Sequence, residues 1–272
     1  MNLEDFVYDI IMLNKFKQSS CNIYFEYPNF TTNRYSTSNI GNLLNIVCIH
    51  KLFEKFDKNY IYIYDIKLKN KDINIKKYYK TLSNILFISD MYTEVSCFIN
   101  QFKSYKCFLS GYNSEIDYSK CELKCFRFCE FEGKIMPDIT VIMWRELKTF
   151  ANGFNREIII DYDTNKTFID GIESIDTKPW LEEKPENKLL LLGSAKYLKS
   201  NSLHCILLGL MIGIPICEIT FRKNTYKMDQ MKNWLQKIGF KIENNIIYNY
   251  DHDWSQEEKI VYEMFNKHIL LE

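Results

Sequence analysis

Residues Lys188 to Phe221 read KLLLLGSAKYLKSNSLHCILLGLMIGIPICEITF, and the way this stretch divides decides the fold. Four consecutive leucines, Leu189 to Leu192, suit a strand buried on both faces. Gly193 to Asn201 is polar enough for a loop, Leu203 to Met211 is an apolar helix, and Gly213 with Pro215 stops it. Ile214 to Phe221 then continues as a second strand. A strand, helix and strand of this length form a right-handed crossover, the unit of α/β folds. Ligands of such sheets bind beyond the carboxyl ends of the strands, and this reading puts Gly193 to His204 there.

Within that turn Ser202 has the side chain of a helix N-cap, which sets His204 in the first helical turn. Unpaired backbone N–H groups and the helix dipole favour an anion at that place, and His204 can serve it as general acid or as phosphate ligand. The same residues also suit a plain core helix, with Ser202 only capping and His204 bonded to a backbone carbonyl.

Upstream, Leu3 to Phe16 predicts a helix and Asn22 to Tyr27 a strand. A polar loop, Asn29 to Asn39, leads through Gly41 into Leu43, Leu44, Val47, Ile49 and Leu52, spaced for a helix packed on a sheet. Tyr60 to Ile66, Asn84 to Ser89, Cys107 to Leu109, Leu123 to Phe128 and Ile139 to Met143 are strand candidates, and Met91 to Lys103 a helix. A first lobe over residues 1–150 and a second over 151–272 follow, the second opening with Glu157 to Tyr162. Its three isoleucines suit a parallel strand buried on both faces. Thr177 to Asn187 is a solvated loop or a helix start. Tyr226 to Ile238 is an amphipathic helix stopped by Gly239, and Phe240 to Tyr250 a strand-rich return. Ser255 and Glu258 predict a capping box for a closing helix.

Lys+Arg and Asp+Glu both number 35 in 272 residues, so no net field draws the protein to nucleic acid or to an anionic membrane. Any anion must be held locally. Met1 to Ile10 carries Glu4, Asp5 and Asp9 in place of a basic leader, and no segment approaches a membrane span. The expectation is a soluble, cytoplasmic protein whose nine cysteines are mostly buried thiols.

Three segments, the first of them in the stretch already read, give the chain a resemblance. Ser202-Leu203-His204, the apolar helix, Gly213-Ile214-Pro215, Phe221, Lys227 and Ile238-Gly239-Phe240 resemble the closing motif of the polysaccharide pyruvyl transferases, which runs Arg-Leu-His, apolar helix, Gly-x-Pro, strand, lysine and helix. Asn39-Ile40-Gly41-Asn42 is similar to that family's Asn-x-Gly-Asp loop, and Pro137-Asp138 to its Pro-Asp pair. The resemblance implies two Rossmann-like lobes, as in the GT-B glycosyltransferases, with the site in the cleft. It implies transfer of a carboxyvinyl (pyruvyl) group from phosphoenolpyruvate to a glycan or glycan-precursor sugar, without metal or other cofactor.

On this reading His204 is catalytic. Asn201, Ser202, Gly41 and Asn42 line the substrate site, Asp138 or Glu218 acts as base or sugar ligand, and Arg222, Lys223 or Lys227 stands in for the arginine that is Ser202 here. Two other readings remain open: a GT-B glycosyltransferase holding a nucleotide sugar at the same helix terminus, or an inactive glycan-binding relative.

Other constellations carry less. Cys121, Cys125 and Cys129 recur every fourth residue without a fourth ligand nearby, so soft core packing is expected before zinc. Cys205 and Cys217 are read as packing. Tyr250 to Trp254 suits a turn or a sugar-site rim. The chain lacks the glycine-rich dinucleotide and P-loop runs and the Gly-x-Ser-x-Gly elbow.

Overall fold

The crossover is present, displaced along the chain from where the leucines place it. A computed structural model describes residues 23–24, 40–56, 86–87, 105–112, 116–161, 166–173, 185–220 and 226–270. The expected helices at Leu3 to Phe16 and Met91 to Lys103, and the strand at Tyr60 to Ile66, lie outside these residues.

Strands β1 (Ile23–Tyr24), β2 (Leu86–Phe87), β3 (Tyr105–Ser110) and β4 (Cys121–Phe126) form a parallel sheet in that order. The hairpin β5 (Glu130–Phe131) and β6 (Lys134–Ile135) follows. A second, mixed sheet of seven strands has the order β12-β13-β11-β10-β7-β8-β9. Its members are β7 (Arg156–Asp161), β8 (Lys166–Ile169), β9 (Ile172–Glu173), β10 (Ala195–Ser200), β11 (Ile216–Ile219), β12 (Lys241–Glu243) and β13 (Ile246–Tyr248). Among the described residues the α-helices are α1 (Ile40–Lys55), α2 (Trp144–Lys148), α3 (Pro185–Gly193), α4 (Leu203–Ile212), α5 (Tyr226–Lys237) and α6 (Ser255–Phe265).

Leu189 to Leu192 therefore belongs to a helix, α3, and the segment expected to be a loop holds the strand β10. Four apolar residues in a row do not distinguish a period of two from one of 3.6. The deciding signals flank them: Pro185 opens the helix, where its missing N–H costs nothing, and Glu186 lies in its first turn. Leu189 and Leu192 are buried while Leu190 is 47% exposed, a helical spacing. In β10, Leu198 and Ser200 are buried, with Tyr197 and Lys199 half-buried between them. This alternation is masked in sequence by its lysines.

β10 pairs parallel with β7 on one side and β11 on the other. The strands follow one another without a reversal of order, so consecutive right-handed crossovers set their helices on the same face. A doubly wound lobe needs such a reversal, and the described strands contain none. Ile158 and Ile160 are buried, but Ile159 between them is only half-buried. β7 is thus buried on one face rather than two, and its second neighbour, β8, is antiparallel.

Helix α4 is apolar all round because it is covered all round. Complete burial of Ile206, Leu207 and Leu208 contributes roughly 1.5–3 kcal/mol each. A Cβ at Gly209 would lie 2.8 Å from Leu198 Cδ2 and 2.9 Å from Ile214 Cδ1, so glycine lets the helix sit down on β10. Gly213, at φ 104°, ends α4 in the left-handed region.

A single apolar core joins residues on both sides of position 150. Leu44, Val47 and Phe53 of α1 meet Leu207 of α4 and Phe265 of α6 in one cluster, with the Phe53 and Phe265 rings edge to face at 5.1 Å. Ile139 to Met143, expected as a strand, is a 3-10 helix. Asp138 is the reason, since its side chain caps the turn. The expected capping box at Ser255 is also absent. Asp253 accepts from the Ser255 backbone N–H and hydroxyl, both at 3.0 Å, and Glu258 instead accepts from Trp144 Nε1 at 3.0 Å.

Candidate functional site

Four side chains or backbone positions far apart in sequence meet where β4 and β10 end. Arg127 directly follows β4, and its Nη1 donates to Asp138 Oδ2 at 2.9 Å. The other carboxylate oxygen, Oδ1, accepts from the Thr140 backbone N–H at 3.0 Å and from its hydroxyl at 2.7 Å. His204 Nε2 stands 3.6 Å from Asp138 Oδ2 and 3.4 Å from Arg127 Nη1. Gly41, in the first turn of α1, faces the imidazole. A Cβ there would fall well inside van der Waals contact with Cγ, Nδ1 and Cδ2 of the ring.

Burial raises the cost of charge at Asp138, but the adjoining imidazole, the Arg127 guanidinium and the Thr140 N–H outweigh it and hold the carboxyl well below the usual carboxylate range. An ionised Asp138 can only accept and Arg127 can only donate. His204 Nε2 lies between them, so a proton on this nitrogen is drawn toward the carboxylate and repelled by the guanidinium.

Two helices direct their N-termini to the same point. Neither α1 nor α4 has an acidic residue in its first turn, so both dipole ends remain positive, beside Arg127. Asn45 lies one turn beyond Gly41 on the same face. It is 5% exposed, and its Oδ1 lacks a hydrogen-bond partner among the described residues.

The turn between β10 and α4 is braced from below. Ser200 Oγ donates to the Ile160 carbonyl at 2.9 Å and accepts from the Ser202 N–H at 3.1 Å. Asn201 Nδ2 donates to Asp161 Oδ1 at 2.7 Å. Ser202 Oγ accepts from the Cys205 N–H at 3.4 Å, so the expected N-cap and the first-turn place of His204 both hold. Burial pushes the Cys205 thiol up to about 11, against the pull of Ser202, Lys188 and Ser200. Lys188, wholly buried in α3, lies behind this turn, near Cys205.

Of the residues expected from sequence, Gly41, Asp138, Asn201, Ser202 and His204 gather here. Asn42 is in the first turn of α1, and its side chain lies outside the described part. Glu218 does not join them. It accepts from Lys199 Nζ at 2.7 Å and from the Tyr197 hydroxyl, on the face of the sheet opposite the buried Leu198 and Cys217. Lys227 is in the first turn of α5. Arg222 and Lys223 lie outside the described residues.

Arg127 and Lys188 were not anticipated. Arg127 sits in a run of cysteines and phenylalanines where a strand was expected; its use follows from the end of β4, which no local pattern marks. Lys188 was hidden by the misread leucines.

Cys121 and Cys125 lie buried in β4, while Cys129 accepts from Gln230 Nε2 at 3.1 Å. They share no helix face, and no group of three metal-ligating side chains occurs among the described residues. Tyr250 to Trp254 is a turn: Asp251 has φ 59°, Trp254 is buried, and Asn249 Nδ2 donates to the Leu210 carbonyl at 2.8 Å.

Compared with protein-family models and with curated proteins, the chain matches none.

Proposed function

We propose that this chain is a pyruvyl transferase-like enzyme that seats the phosphate of phosphoenolpyruvate at the α1 and α4 N-termini and transfers the pyruvyl group to a glycan sugar. One observation carries the reading. The three segments that resemble the polysaccharide pyruvyl transferases are separated by some of the longest spans in the chain, and Gly41, Asp138 and His204, one from each, meet at a single point.

Arg127 supplies the guanidinium that Ser202 does not. His204 gives a proton to the methylene carbon of the enol, and the acceptor sugar's first hydroxyl adds to the adjacent carbon. Loss of phosphate and attack of the second hydroxyl close the ketal. Of the two protons released by the hydroxyls, one ends on the new methyl group and the other on phosphate. Asp138, 1% exposed and held ionised, is a positioning residue for the imidazole rather than a base for sugar.

A site at the meeting of two sheets is supported by β4 and β10, whose carboxyl ends both contribute to it. A cytoplasmic setting is supported by the free, buried thiols of Cys48, Cys205 and Cys217. No described helix is long and apolar enough to cross a membrane.

Thermal unfolding with phosphoenolpyruvate, UDP-sugars and CMP-sugars tests the donor. Phosphoenolpyruvate at a hundred times its Kd adds about 2.7 kcal/mol, and His204→Gln should lose turnover while Arg127→Met loses the protection. Protection by a nucleotide alone sinks the proposal and favours a glycosyltransferase.

A further inference from the structure

Beside the site lies a cluster of aromatic rings that the proposed chemistry does not use. Phe126, the residue before Arg127, packs edge to face with Tyr112 at 5.6 Å and with Tyr118 at 5.1 Å. Tyr118 stacks on Tyr112 at 5.7 Å. From α5, Tyr226 approaches Tyr112 to 6.1 Å with the rings inclined at 61°. The result is a corner built from residues that follow β3, precede β4 and end it on one side, and from the start of α5 on the other.

Tyr112 is 38% and Tyr226 51% exposed, and most other large apolar side chains of the described residues are covered. Two exposed rings in mutual contact are not explained by core packing. Tyr226 is also held in place. Gln230 Nε2 donates to its hydroxyl at 3.0 Å and to Cys129 Sγ at 3.1 Å. That bond uses the tyrosine oxygen as acceptor and leaves its own proton to donate.

We propose that the Tyr112–Tyr226 corner is the seat of the acceptor, a pyranose ring of an oligosaccharide. The flat C–H face of a pyranose complements the electron-rich face of an aromatic ring, while its rim of hydroxyls needs hydrogen-bond partners, which tyrosine supplies and phenylalanine or leucine does not. The four rings themselves are uncharged at neutral pH, as suits a neutral sugar. The corner adjoins the reaction site along the chain, Phe126 preceding Arg127 at the end of β4. This inference rests on the pyruvyl transfer reading for the identity of its ligand as acceptor, but sugar binding is testable without it.

The full chain is applied to an array of gluco-, galacto-, manno- and N-acetylhexosaminyl pyranosides, and the best ligand is titrated by calorimetry. Tyr226→Ala and Tyr112→Ala should each weaken binding about tenfold, whereas Tyr226→Phe, which keeps the ring and loses only the hydroxyl, should weaken it about threefold. Protection by phosphoenolpyruvate should be unchanged in all three. Binding to no sugar on the array, or equal binding by Tyr226→Ala, overturns the corner as a sugar seat. If phosphoenolpyruvate fails to protect the parent chain while tyrosine-dependent sugar binding persists, the donor reading falls and the corner stands.

Discussion

Replacing Gly41 by alanine tests whether α1 and α4 are locked together through the imidazole. The added methyl carbon would overlap three atoms of the His204 ring, where carbon atoms prefer ~3.5–4.0 Å. The overlap is with the body of a planar ring that is 5% exposed, so no flexible end can swing away. Overpacking of this kind costs about 1–3 kcal/mol, and alanine's better helix propensity returns at most ~1 kcal/mol. The net loss of about 1–2 kcal/mol should lower Tm by roughly 2–8 °C for a chain of this size. Urea midpoints measure it under two-state conditions. His204→Ala removes the ring, so in that background Gly41→Ala should be neutral or slightly stabilising, and the cycle should show a coupling of about 1–3 kcal/mol. A Gly41→Ala protein as stable as its parent, or one whose loss persists without the imidazole, would refute the contact and with it the convergence that supports the proposed function.

Arg127→Met leaves the Asp138 charge buried without its guanidinium and should cost about 3–5 kcal/mol, much of it restored in Arg127→Met/Asp138→Leu; urea unfolding of the two variants decides this. The Asp138 carboxyl is held below the usual range, so the unfolded chain binds its proton first as the medium is acidified. Its contribution is full above the unfolded value of ~3.9 and is lost as pH falls below it. Unfolding midpoints of Asp138→Asn should therefore fall less steeply in acid than those of the parent; parallel curves would count against an ionised, paired Asp138. Burial raises the Cys125 thiol to about 12 and the Cys205 thiol to about 11. Iodoacetamide at neutral pH should leave both intact until the chain unfolds, as peptide mass mapping would show, and rapid native labelling of either would contradict its packing.

Some of the fold was legible because it is written in local chemistry. Gly213, followed by Ile214 and Pro215, marks the end of α4, Ser202 marks its start, and the apolar run between them admits only a covered helix. Ser202 and His204 could therefore be placed at a helix N-terminus from sequence, and a parallel partner for Ile216–Ile219 follows from the crossover, although the strand that fills that place is β10 and not the leucines. Where the local signal was shared by two structures, the reading failed. Four leucines fit a buried strand or a helix face, and Ile139 to Met143 has strand composition but turns because Asp138 caps it.

The site shows the same division. Sequence supplied the residue types, a glycine at a helix start, an aspartate after proline, a histidine after a cap, because each answers to its neighbours along the chain. That they adjoin one another, that Arg127 joins them, and that Glu218 turns to the opposite face with Lys199 and Tyr197 are products of the way two sheets end at one point. Sequence spacing holds no record of distances between elements. The ion pair of Arg127 with Asp138, like the closeness of Gly41 to the ring of His204, exists only once the shared core has brought α1, β4 and α4 together.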